Sequence, residues 1–232
     1  MTGTIVNAAA IIAGTALGLM FRKGISESIN NTVMSGIGLA VALIGFKMAL
    51  KTENELIVIL SLVLGGIMGE LLNIEGWLAR TGTYLESRVG GNGQGEVAKA
   101  FVTTSLIYCV GAMGIMGALE DGITGNATTL YAKSLLDGTT AVVFTTTMGF
   151  GVVFSAIPVF IYQGAITLAA SGIKEFLTPS MINEMTATGG LLIVGIASNI
   201  LGIKPVKVGN LLPAILMALF FTWLWANLNI GL

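Results

Sequence analysis

Thr139–Ser171 reads TTAVVFTTTMGFGVVFSAIPVFIYQGAITLAAS, 33 residues without a charge. As one helix it would run about 50 Å, well beyond a hydrocarbon core of about 30 Å. The stretch must therefore cross twice or break. Gly149, Gly151 and then Pro158 are its break signals, because proline disfavours helix at the residue before it. Thr145, Thr146, Thr147 and Gln163 bring hydroxyls and an amide to membrane depth. Transporters build substrate sites from such broken helices. Two ordinary helices joined by a Gly/Pro hairpin, with hydroxyls bonded to their own carbonyls, is the plainer alternative.

The rest of the chain has the same character. Of 232 residues, 54% are hydrophobic and 10% charged, and the mean hydropathy is +0.89. This composition belongs to a membrane protein. The 32 glycines lie mostly inside apolar runs and point to closely packed helices. A net charge of −1 offers no basic face to nucleic acid. With no histidine and one cysteine, Cys109, disulfide frameworks, the usual zinc sites and His-held haem are excluded. No cofactor is expected beyond coupling to Na⁺ or H⁺.

The runs, in order, are Thr2–Phe21, Ile29–Phe46, one from Leu56 meeting Glu70, Ala100–Leu119, the central stretch, Met185–Ile203 and Val208–Leu232. Gly14 and Gly18 form a G-x-x-x-G packing face. Residues 75–89 place Trp77, Leu78, Thr81, Tyr84 and Leu85 on one face, as an interfacial helix would. GGNGQG, residues 90–95, is the clearest linker. Glu70 and Lys47 are expected near the interface, and Lys133 as an ordinary flanking charge. Glu120 and Asp137 suit helix ends as well as a cation site.

These observations predict an all-α, polytopic bundle with about eight membrane segments and a broken central hairpin. With the start outside, the inner loops hold Arg22, Lys23, Arg80, Arg88, Lys99, Lys204 and Lys207. The outer side holds Lys47, Lys51, Lys133 and Lys174. That bias puts both termini outside. An offset of 153 aligns Ile29/Ile182, Asn30/Asn183, Gly36/Gly189, Leu39/Leu192 and Val41/Val194. The expected organisation is a single membrane domain, 1–232. Inverted-repeat halves 1–74 and 155–232 would flank a central pair, 99–154.

GTIVNAAAIIAGTALG, YCVGAMGIMGALEDG, KSLLDG, GFGVVFSAIPVFIYQG and VGNLLPAIL together resemble the YqgA/YdfK-like bacterial inner-membrane family, domain of unknown function 554. The resemblance runs from residue 3 to the last helix. It implies a multi-pass plasma-membrane protein of prokaryotic type and names no substrate. The family pattern often has proline where this chain has Ala112, so a kink there would come from Gly111 and Gly114.

The function expected is a transporter or channel for a small polar solute or ion. Thr145, Thr146, Ser155 and Gln163 would line the site, with Asn7, Asn183 and Asn210 as further donors. Glu120, Asp121 or Asp137 would neutralise a coupling cation. Gly138, Gly149, Gly151 and Gly164 would let backbones approach. The alternatives are a structural or regulatory membrane subunit and, less favoured for want of a base beside Cys109, an intramembrane enzyme. The expected partners are lipid, the solute and no nucleic acid; the glycine faces would also permit a homo-oligomer.

Overall fold

The computed structural model describes residues 1–22, 27–89, 95–109, 111–173 and 177–227. Within them the chain is helical, with no strand. Ten α-helices follow one another: α1 (Thr2–Arg22), α2 (Glu27–Ala49), α3 (Glu55–Leu72), α4 (Ile74–Val89), α5 (Glu96–Cys109), α6 (Ala112–Thr124), α7 (Thr128–Met148), α8 (Ala156–Ile173), α9 (Pro179–Ile200) and α10 (Pro213–Asn227). Short 3₁₀ turns occupy Phe150–Ser155 and Val208–Leu211.

Six helical stretches among the described residues are long and apolar enough to cross a membrane, and the bent pair α5–α6 makes seven if counted as one span. The remaining expected segment is α7, whose 21 residues would reach about 31 Å. Large apolar side chains on α3, among them Ile59, Val63 and Ile67, stay exposed, as a lipid-facing helix requires. The protein is thus an all-α polytopic bundle.

Local chemistry sets the boundaries. Asn54 caps α3 by accepting from the Leu56 N–H, and Thr178 caps α9 by accepting from Met181, with Pro179 at the first turn. Asn73, at φ 50°, ends α3 in the left-handed conformation. In the central stretch α7 stops at Met148, and Gly149 turns the chain at φ 80°. The break therefore runs from Gly149 to Ser155 and precedes Pro158, which sits in the first turn of α8, where its missing N–H costs little. The run Ala100–Leu119, expected as one helix, bends by 60° between α5 and α6. Gly111 stands at the bend with φ 143°, a conformation open to glycine.

The chain forms two compact units. Residues 1–35 and 78–176 make the first, and residues 36–77 and 177–232 the second, so each expected repeat half contributes to both. In the first, α1 packs along α7 and also on α8, while α6 packs on α8. In the second, α10 packs on α3 and α9. α4 forms where the interfacial helix was expected, with Trp77 and Tyr84 well exposed. Lys23, Lys174 and positions 90–94 of the expected linker lie outside the described residues.

Candidate functional site

One face of α1 carries Gly3, Thr4, Asn7, Ile11, Gly14, Thr15 and Gly18, all buried. The spacing of three and four keeps them on one side. A Cβ at Gly14 would collide with the carbonyl of Gly138, and one at Gly18 would lie 2.6 Å from Thr145 Cβ. The Gly14/Gly18 pair is thus a packing face, and it draws α1 and α7 backbone to backbone. That approach lets the short Asn7 side chain reach α7.

Asn7 is fully buried. Its Nδ2 donates to Asp137 Oδ2 at 3.0 Å and to Gln163 Oε1 at 3.3 Å. Lys133 Nζ donates to the same Asp137 oxygen at 2.5 Å. Four residues from α1, α7 and α8 thereby form one chain. Each orientation follows from the last. An ionised Asp137 can only accept, so Asn7 must present its amino group. Gln163 must then present its oxygen. Two atoms are left over, Asn7 Oδ1 and Gln163 Nε2, buried and without a partner among the described residues. Gly114 of α6 makes room for the lysine, since a Cβ there would sit 3.4 Å from Lys133 Cε.

Asn7, Asp137 and Gln163 are brought together as the sequence suggested for a site. Lys133 joins them and is not an ordinary flanking charge: only 6% of its surface is exposed. Its signal in the sequence was the i,i+4 spacing to Asp137, which puts both on one helical face.

Other expected site residues lie elsewhere. Thr146 and Ser155 donate to the carbonyls of Val143 and Val152, so their hydroxyls are turned to their own helices. Thr145 is buried beside Gly18 of α1, with no partner for its hydroxyl among the described residues. Asp121 accepts from the Gly3 N–H at 3.2 Å and lies 2.9 Å from the Met1 amino group. Glu120 accepts from Asn126 and Thr129 and so closes the α6–α7 turn.

Asn183 and Asn210 belong to the second unit. Asn183 donates to Glu53. Asn210 is used at both ends, accepting from the Glu75 N–H and donating to Glu70. It is a clasp between helices rather than a free solute donor. Glu70 also pairs with Lys207 at 2.7 Å, both side chains being mostly exposed. The second unit also has a buried carboxylate that the sequence reading passed over. Glu184 is fully buried and accepts from Thr52 Oγ1, the Glu53 N–H and the Asn54 N–H.

The family model described as Protein of unknown function (DUF554) matches residues 2–223. The chain is 33% identical to the Uncharacterized membrane protein YdfK of Bacillus subtilis (strain 168) over 221 residues, 94% of this chain and 93% of that one. It is 32% identical to the Uncharacterized protein YqgA of Escherichia coli (strain K12) over 227 residues, 96% and 97% of the two chains. No solved structure matches. Family model and relatives alike span nearly the whole chain, and this protein belongs to the DUF554 family.

Proposed function

We propose that this protein is a transporter for a small polar solute, coupled to H⁺ or Na⁺, and is not an enzyme. The observation that carries the reading is the buried chain Lys133–Asp137–Asn7–Gln163, with two amide atoms left unpaired. Charges and open hydrogen-bonding valences inside a membrane bundle are expensive, and they mark solute and ion pathways.

Two features support a moving site. The bend at Gly111 and the 3₁₀ turn after Gly149 interrupt helices of the same unit. Element boundaries also fit an inverted repeat. An offset of 153 carries α1 onto α8, α2 onto α9, and α3 onto the 3₁₀ turn plus α10, each within about three residues at either end. The membrane is the bacterial inner membrane, with both termini outside.

The test is flux. The protein is reconstituted in proteoliposomes containing pH- or Na⁺-sensitive dye and challenged with small polar solutes. Solute-dependent ion movement, abolished in Asp137→Asn and reduced in Gln163→Met, is the expected result. If solute flux were the same in both variants as in the parent protein, this cluster would not be the site. No flux of any solute would favour a structural subunit.

A further inference from the structure

We infer that the cluster takes a small zwitterion, an amino acid with a short side chain, which inserts between Lys133 and Asp137. The inference rests on the transport reading and adds the class of solute.

Three properties of the cluster define the ligand. First, the pair is electrically neutral as a whole and buried, each residue being 6% exposed. A ligand with net charge would bring an uncompensated charge into a low-dielectric interior, which is strongly unfavourable. A zwitterion brings none. Second, the residues already present the two counter-charges. Opening the Lys133–Asp137 contact frees an ammonium for a carboxylate and a carboxylate for an ammonium. Third, the unpaired valences have matching polarity. Among the described residues, Gln163 Nε2 is a donor with nothing to donate to, and Asn7 Oδ1 is an acceptor with nothing to accept. A carboxylate satisfies the first and an ammonium the second. A purely hydroxylic or amide solute would satisfy the amide atoms but would not replace the ion pair it separates.

Size follows from the packing. Lys133 and Asp137 touch in this conformation, and α1 meets α7 at glycines. Separating the two charges by one short molecule needs a modest opening, and the bend at Gly111 immediately precedes α6, whose Gly114 lies beside Lys133.

The experiment uses the full chain in lipid nanodiscs, with thermal unfolding and calorimetric titration as readouts. The probes are glycine, L-alanine and L-serine, set against acetate and methylamine, which carry one charge each. The expected result is a Tm that rises with the logarithm of amino-acid concentration and does not move with acetate or methylamine. Gln163→Met keeps the side-chain volume and removes the donor. It is expected to weaken amino-acid affinity at least tenfold, while the ion pair stays intact. Binding of acetate alone or methylamine alone, as tight as that of glycine, overturns the zwitterion and leaves transport standing. Unchanged affinity in Gln163→Met overturns the site. Coupled flux of some other solute, with no binding of any amino acid, overturns the class. Absence of all flux overturns the transport reading itself.

Discussion

Lys133 and Asp137 stand one turn apart on α7 and meet at 2.5 Å in the interior of a membrane bundle, where Asn7 holds the same carboxylate oxygen from α1. A buried ion pair of this kind adds little net stability, but a half-pair is costly. Lys133→Met alone is expected to destabilise by about 3–5 kcal/mol. The double variant with Asp137→Asn should be more stable than Lys133→Met alone. A double-mutant cycle by thermal unfolding reads the difference, and strict additivity would mean that the two charges are uncoupled.

Glycine positions separate into those against backbone and those against open space. A Cβ at Gly69 would collide with the carbonyl of Asn210, whereas nothing lies within 4 Å of one at Gly36. Gly69→Ala should lose at least about 1–3 kcal/mol through overpacking. Gly36→Ala should be neutral or gain up to about 1 kcal/mol, alanine being the better helix former. Comparable Tm losses for both would contradict the close approach of α3 to the turn before α10.

Glu184 gathers the loop between α2 and α3. With it gone, the Glu53 N–H loses its acceptor and the Asn54 N–H keeps only Thr52 Oγ1. Each unsatisfied donor costs about 1–3 kcal/mol when it stays buried. Glu184→Ala should lower the Tm and speed hydrogen exchange at residues 52–54, with slower change at α7. Exchange at 52–54 that matches the parent protein would show that the carboxylate is dispensable there.

α4 offers a spectroscopic check. With Trp223 and Trp225 replaced by phenylalanine, Trp77 is the remaining tryptophan. An interfacial helix predicts stronger quenching by lipids brominated near the headgroup than by lipids brominated deep in the acyl chain. The reverse order would place α4 inside the hydrocarbon layer.

Much of this architecture was readable without coordinates, and the reasons are local. Long uncharged runs fix where helices lie, because a backbone in lipid must bond within its own segment. Gly149 marks a break, because a side chain is strained at its positive φ, whereas Gly111 lies inside a run that read as one helix. Pro158 misled as a break, since proline is tolerated in a first turn and the chain had already turned at Gly149. Thr145, Thr146 and Ser155 looked equivalent in the sequence. Their difference is one of helical azimuth and of neighbours, which no residue carries alone.

The sequence by itself determined a helical, multi-pass membrane protein, the positions of most helices, and three members of the polar cluster as candidates. Only the tertiary structure decided that Asn7, Asp137 and Gln163 meet, that Lys133 completes them, and that Asn210 and Asn183 serve as clasps in the other unit. The physical reason is range. Hydropathy and turn chemistry act within a few residues, while Asn7 meets Gln163 across 156 positions of chain. That meeting depends on glycines letting helices touch, a property of the packed pair rather than of either segment.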